Sequence, residues 1–112
     1  MREYNYTFVV RPTPIFVAVS LGNYANLLQT LKRYDEAEAL YRQALEMRKK
    51  VHGEEHPRVA NTLNNLALFL WNQDPDSAEA AQLGKQALAI AEKTLGPDHP
   101  MTQRFRERFG DE

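Results

Sequence analysis

The chain has 112 residues, of which 43% are hydrophobic and 26% charged, and 14 basic against 15 acidic residues give a net charge of −1. This size and composition indicate one small soluble domain, and the balanced charge predicts no long-range attraction to nucleic acid or to a membrane surface. The absence of cysteine excludes a disulfide framework, a thiolate metal site and a thiol nucleophile.

Residues 1–14 have the pattern of an isolated strand. Every second position carries an aromatic or aliphatic residue, namely Tyr4, Tyr6, Phe8 and Val10. This is the period of a half-buried strand, and the prolines at positions 12 and 14 end it. A single strand has no pairing partner in a helical protein, so the segment is either an extended arm lying on the helices or a disordered tail.

The apolar stretch at residues 15–19 is too short to span a bilayer. The N-terminus also lacks the basic, apolar and small-residue series of a signal peptide. We therefore expect a cytoplasmic protein that does not bind membranes.

Residues 17–56 predict two helices joined by a tight turn. The second helix has apolar residues at steps of three and four, at Ala37, Leu40, Tyr41, Ala44 and Leu45. Such a stripe is typical of an amphipathic helix and not of a strand.

The second half of the chain repeats the first. Gln43-Ala44-Leu45, Gly53 and His56-Pro57 recur 43 residues later, as Gln86-Ala87-Leu88, Gly96 and His99-Pro100. A period of this length indicates a stack of helical repeats, one over residues 17–56 and the next over 57–99.

Each repeat boundary carries signals for the end of one helix and the start of another. Gly53 and Gly96 can take the left-handed conformation that ends a helix without a side-chain penalty. Pro57 and Pro100 suit the first position of the following helix, where no backbone donor is needed. We expect residues 100–109, with Phe105 and Phe109 on one side, to form a short helix that caps the stack.

Three segments together resemble the tetratricopeptide repeat family in its long-period form, as in kinesin light chains. They are Tyr34–Leu45, Leu63–Ala67 and Leu95–Pro100, and the resemblance covers residues 17–109. It implies an all-α domain over residues 15–112, a right-handed superhelical stack of antiparallel helix hairpins that binds a protein or peptide on its concave face. The sequence departs from the family pattern at Lys32, where a glycine is usual, and at Ser77, which replaces Tyr34.

No catalytic or metal site is predicted, and no cofactor is expected. His52 and His56 are four residues apart, but the glycine between them interrupts the helix that would align them on one metal. Acidic residues such as Asp35 and Glu36 are typical of a first helical turn, where the helix dipole favours them. We find no nucleophile motif or phosphate-binding loop.

The candidate peptide-binding surface is the concave face, formed by the first helix of each repeat. If the core stripe is Leu21, Tyr24, Ala25 and Leu28, then Leu63, Leu66, Ala67 and Leu70, the opposite face presents amide and apolar side chains. The predicted site residues are Asn26, Gln29, Asn61, Asn64, Leu68, Trp71 and Arg104. The amides can hydrogen-bond a peptide backbone, and Trp71 can supply an apolar anchor.

Arg104 is the sole cation that the sequence places on this face. A clamp for a terminal carboxylate needs paired cations, so an internal or acidic peptide segment is favoured.

Two other roles stay open. Two hairpins and a cap are fewer than the three repeats usually needed, so the chain can be a structural or oligomerisation module, or part of a longer array, associating through Phe105, Phe109 or the N-terminal aromatic residues. RNA binding through Arg104, Arg106 and Arg108 is not expected, because three arginines make a weak electrostatic footprint on a near-neutral domain.

Overall fold

The computed structural model describes residues 23–110, and every structural statement below refers to them. This part of the chain contains no strand and is almost entirely helical: α1 (helical through residues 23–30), α2 (Tyr34–His52), α3 (Pro57–Gln73), α4 (Ala78–Leu95) and α5 (Pro100–Phe109). The predicted all-α stack of helix hairpins is confirmed. The predicted arm or tail at residues 1–14 lies outside the described residues.

The turn between α1 and α2 is closed by a Schellman motif, the hydrogen-bond pattern that ends many helices. The backbone N–H of Arg33 donates to the carbonyl of Leu28 at 2.8 Å, and the backbone N–H of Lys32 donates to the carbonyl of Gln29 at 2.9 Å. Lys32 has φ of 63° and is the only non-glycine residue with positive φ among those described. Lys32, which departs from the family pattern, therefore occupies a conformation that favours glycine.

Glycines end α2 and α4, as the repeat pattern predicts. Gly53 has φ of 85° with ψ of 166°, and Gly96 has φ of 90° with ψ of 162°. These values lie in an extended region of positive φ that only glycine visits readily, rather than in the left-handed helical region. The chain therefore leaves both helices in an extended direction, and four residues connect each of them to the next helix.

The recurring His-Pro pair starts a helix each time. The imidazole Nδ1 of His56 accepts the backbone N–H of Arg58 at 3.0 Å, and Nδ1 of His99 accepts that of Met101 at 3.0 Å. The following prolines are the first residues of α3 and α5. Histidine thus satisfies one of the unpaired donors at each helix start.

Ser77, the other departure from the family pattern, caps α4. Its hydroxyl accepts the N–H of Ala80 at 3.0 Å, and α4 begins at Ala78. The equivalent position in the first repeat is Tyr34, which already lies within α2. The replacement therefore exchanges a helical residue for a capping residue.

The core lies between α2, α3 and α4 and contains aromatic and aliphatic side chains. Phe69 is 2% exposed, with the ring of Tyr41 centred 5.2 Å away and that of Tyr34 at 6.3 Å. The predicted core stripe is buried at Ala25, Leu28, Leu63, Leu66, Ala67 and Leu70. Leu21, also part of the predicted stripe, lies outside the described residues. Tyr24 is the exception among the described members: it is 49% exposed, because α1 packs on its neighbours through the face that carries Ala25 and Leu28.

Helix α5 covers the end of the stack. Phe109 packs against Gly84, where an added methyl group would overlap its ring, and Phe105 is 1% exposed. The alternative role for these phenylalanines as an exposed oligomer interface is therefore wrong, because both are buried beneath their own helix. The small residues of α4 allow this close approach.

Candidate binding groove

A groove of about 740 Å³ opens between α1, α2 and α3. Helices α1 and α2 meet across it through a hydrogen bond from the Tyr41 hydroxyl to Gln29 Oε1, 3.1 Å long. The lining residues are Asn23, Asn26, Gln29, Tyr41, Ala44, Arg48, Asn61, Thr62, Asn65, Leu68, Phe69 and Asn72.

One wall of the groove is a stripe of amides on α3. Asn61, Asn65, Leu68 and Asn72 follow one another at steps of four, three and four residues, so they stack along one side of the helix. All four are exposed, and Leu68 is the single apolar residue among them. The stripe lies beside the buried face of the same helix, whose apolar residues hold α3 in the core.

Several of these amides have no hydrogen-bond partner among residues 23–110. The side chains of Asn26, Asn61 and Asn72 make no hydrogen bond to another residue in the described part of the chain. Gln29, by contrast, accepts from Tyr41, and Asn65 Oδ1 accepts from Asn64 Nδ2 at 3.4 Å. The groove therefore offers free donors and acceptors beside amides that are already oriented.

Tyr41 forms part of the groove floor and is 6% exposed. Burial raises the pKa of its hydroxyl. The hydroxyl therefore stays protonated and keeps donating to Gln29 at neutral pH.

The groove brings together four of the seven predicted site residues. Asn26 and Gln29 line it from α1, and Asn61 and Leu68 line it from α3. The other three lie elsewhere.

Asn64 is a correction to the predicted surface, because it is 6% exposed. Its Oδ1 accepts a hydrogen bond from Arg108 Nη1 at 2.9 Å, which links α3 to α5. Helix α5 packs over this side of α3, so Asn64 holds the cap in place and is not available to a peptide backbone.

Trp71 and Arg104 also lie outside the groove. The indole of Trp71 is partly buried with its ring 5.1 Å from that of Phe109, so it contributes to the contact between α3 and α5. Arg104 is exposed on α5 and is not among the lining residues. The described lining of the groove contains Leu68 as an exposed apolar side chain and Arg48 as a charged one.

Sequence reasoning missed Asn65, Asn72, Tyr41 and Arg48. The two asparagines continue the helical spacing from Asn61, so a finer choice of helix face would have found them. Tyr41 and Arg48 are on α2, the second helix of its hairpin, and only the tertiary arrangement of α1, α2 and α3 around the groove shows that α2 reaches it. The spacing along α2 carries no such signal.

The two histidines at the joint between α2 and α3 stack on each other. Their ring centres are 4.3 Å apart, and the Nε2 atom of His52 is buried without a hydrogen-bond partner. Burial, His56, Arg58 and Arg48 together lower the pKa of His52. Within residues 23–110 no three His, Cys, Asp or Glu side chains gather in a way that could hold a metal ion.

None of the helices described is both long and apolar enough to cross a membrane.

A comparison with curated proteins gave no significant match. The family model described as tetratricopeptide repeat matches residues 16–93, which include α2, α3 and most of α4. This range is more than half of the chain, and the structure forms helix hairpins over the part of it that is described. The chain therefore belongs to the tetratricopeptide repeat family, whose members typically bind other proteins.

Proposed function

We propose that this protein is a non-catalytic adaptor that binds an extended peptide segment of a partner protein in the groove between α1, α2 and α3. The observation that carries the proposal is the stripe of amides on α3, which faces the amides of α1 across an open groove. An extended peptide presents alternating N–H and C=O groups, and each primary amide can both donate to and accept from such a backbone.

The apolar part of the groove supports the same role. Leu68 is 36% exposed beside the amides, while Phe69 and Ala44 form a buried floor. A ligand side chain that covers Leu68 would gain hydrophobic free energy of about 25 cal/mol per Å² of apolar surface removed from water. A protein that recognises a short peptide motif can do so through hydrogen bonds between its amides and the peptide backbone, together with one apolar contact.

The proposal extends to the type of repeat and its location. The recurrence after 43 residues supports the long-period, kinesin-light-chain-like form of the repeat. A cytoplasmic location agrees with a chain that contains no cysteine.

A peptide-display selection on the purified chain tests the proposal. The counter-target is the double variant Asn61→Ala/Asn72→Ala, which removes two exposed amides without touching the core. Each lost hydrogen bond is worth roughly 0.5–1.5 kcal/mol, so we expect selected peptides to bind this variant about tenfold more weakly.

The matched control is Gln82→Ala/Gln86→Ala, which removes two exposed amides from α4, outside the groove. Selected peptides should bind this control as they bind the wild-type chain. A selection that enriches no peptide, or peptides that bind both double variants equally, would contradict the proposal.

A structural role is the second candidate, and one observation favours it. Tyr24, Leu27 and Leu31 are 49%, 51% and 55% exposed and lie at steps of three and four, the first two on α1 and Leu31 in the turn directly after it. These three residues, named here the α1 stripe, form an apolar edge at the start of the described stack. Another helix, from a second copy or from a longer array, could cover them.

A further inference from the structure

Among residues 23–110, the groove is lined by a single charged side chain. Arg48 lines it from α2, about one turn before that helix ends at His52, and every other described lining residue is uncharged. The formal charge that the described lining offers to a ligand is therefore positive. The near-neutral net charge of the chain gives no sign of this local asymmetry.

Arg48 also differs from the other arginines of residues 23–110 in its lack of a partner. Arg33, Arg42, Arg106 and Arg108 each donate to a side-chain oxygen. Arg58 and Arg104 do not, but they are exposed and water can solvate them. Arg48 alone is both partly buried and without an acceptor among the described residues.

The described residues around Arg48 do not compensate its charge. Burial lowers the pKa of its guanidinium, and the nearby positive charge of Arg58 lowers it further. His52 and His56, which meet at the same joint, add no negative charge. A partly buried cation with no counter-ion is unfavourable, and an anionic group supplied by a ligand would relieve the cost.

We propose that Arg48 binds a carboxylate of the peptide, so that the groove selects segments containing an internal aspartate or glutamate. The inference rests on the proposed function, because it needs a peptide in the groove. A guanidinium can bind a planar carboxylate through two parallel hydrogen bonds. The amides on both sides of the groove meanwhile hold the backbone on either side of the acidic residue.

The test uses an array of twelve-residue peptides of random sequence without other acidic residues, acetylated at the N-terminus and amidated at the C-terminus. Each peptide is printed twice, with Glu or with Gln at one central position. A third printing has the Gln sequence with a free C-terminal carboxylate. The full chain is applied at 50 mM and at 300 mM salt, and binding is read by fluorescence.

Among the sequences that bind, we expect the Glu form to bind at least about tenfold more tightly than its Gln partner, as for a charge-assisted hydrogen bond. Arg48→Met keeps much of the aliphatic stem and deletes the charge, and it should abolish the preference while Gln forms still bind. Arg104→Met, at an exposed arginine outside the groove, should keep the preference. Higher salt should reduce the preference but not reverse it.

The contrary results distinguish a failure of the role of Arg48 from a failure of the groove function. Equal binding of Glu and Gln forms, or a preference that survives Arg48→Met, refutes the role of Arg48 and leaves the groove function standing. Tightest binding of the free C-terminal form refutes the internal position of the carboxylate. If no peptide of any printing binds, the proposed function fails together with this inference.

Thermal unfolding shows whether Arg48→Met is folded. We expect its melting temperature to be no lower than that of the wild-type chain, because the substitution removes a charge without a partner. Arg48→Lys supplies a second, charge-preserving variant: it should retain part of the preference for Glu, since it keeps the charge but loses the paired donors. A loss of preference as complete as that of Arg48→Met would contradict recognition through charge.

Discussion

At the scale of single residues, this protein departs from the pattern of its family at positions that the backbone explains. Lys32 occupies a positive φ in the turn between α1 and α2, where the family usually has glycine. Ser77 replaces an aromatic residue and caps α4 through its hydroxyl. Lys32 therefore has an unfavourable backbone conformation, whereas Ser77 adds a hydrogen bond at the start of α4.

We expect Lys32→Gly to stabilise the protein. A left-handed conformation costs an L-residue roughly 1–2 kcal/mol, while glycine loses roughly 0.5–1 kcal/mol of additional chain entropy on folding. The free energy of unfolding should therefore rise by about 0.5–1 kcal/mol, measured by urea denaturation at constant m-value.

Lys32→Ala is the matched control, since it removes the exposed lysine side chain but keeps the strained φ. Its free energy of unfolding should stay close to that of the wild-type chain. Equal stabilisation by alanine and glycine would show that the charge, and not the backbone, is responsible.

At the scale of secondary-structure elements, the joint between α2 and α3 contains a buried imidazole nitrogen. The ring of His52 stacks on that of His56 with centres 4.3 Å apart, and His52 Nε2 is buried without a hydrogen-bond partner among the described residues. A proton on the His52 ring would place a charge where the described residues offer it no acceptor. Acid therefore acts on the folded state at His52.

We expect the stability of the protein to fall as the pH falls below about 6.5. The folded state lowers the pKa of His52 from 6.5. The unfolded chain consequently binds more protons below that pH, and stability is lost until the folded pKa is passed. Thermal unfolding between pH 7 and pH 5 measures the effect.

His52→Leu is the natural control, because Leu95 occupies the equivalent position at the end of α4. Its melting temperature should depend less on pH than that of the wild-type chain. Identical pH profiles for the variant and the wild-type chain would show that His52 is not responsible.

At the scale of the whole molecule, the described stack is closed at one end and open at the other. Helix α5 covers α4 through Phe105 and Phe109, both buried. The α1 stripe leaves three half-exposed apolar side chains at the opposite end. Any association between copies is therefore expected at α1 and not at α5.

We expect the chain to be a monomer at micromolar concentration. Three half-exposed side chains supply far less than the roughly 1,200 Å² that specific, stable interfaces bury. Sedimentation velocity over a hundredfold range of concentration measures the mass.

A dimer that dissociates on Leu27→Glu would contradict this expectation and favour the structural role. Phe109→Asp does not test assembly, because Phe109 is buried and its loss would destabilise the fold.

The sequence by itself determined the repeat, the helix boundaries and most of the core. Glycines, prolines and apolar spacing act within one helix or at its ends, so their effects can be predicted from neighbouring residues. The start of α3 at Pro57 and the burial of Leu63 and Leu66 follow in this way. Of the candidate site, the sequence located Asn26, Gln29, Asn61 and Leu68 but included Asn64, Trp71 and Arg104, which lie outside the groove.

Only the tertiary structure decided which polar residues face the groove. A rotation of α3 by a fraction of a turn exchanges Asn64 for Asn65, and the packing of α5 selects the orientation by binding Asn64 through Arg108. Arg48 enters the groove because α1 and α3 leave part of α2 uncovered. Such contacts join residues far apart in the chain, and no local pattern encodes them.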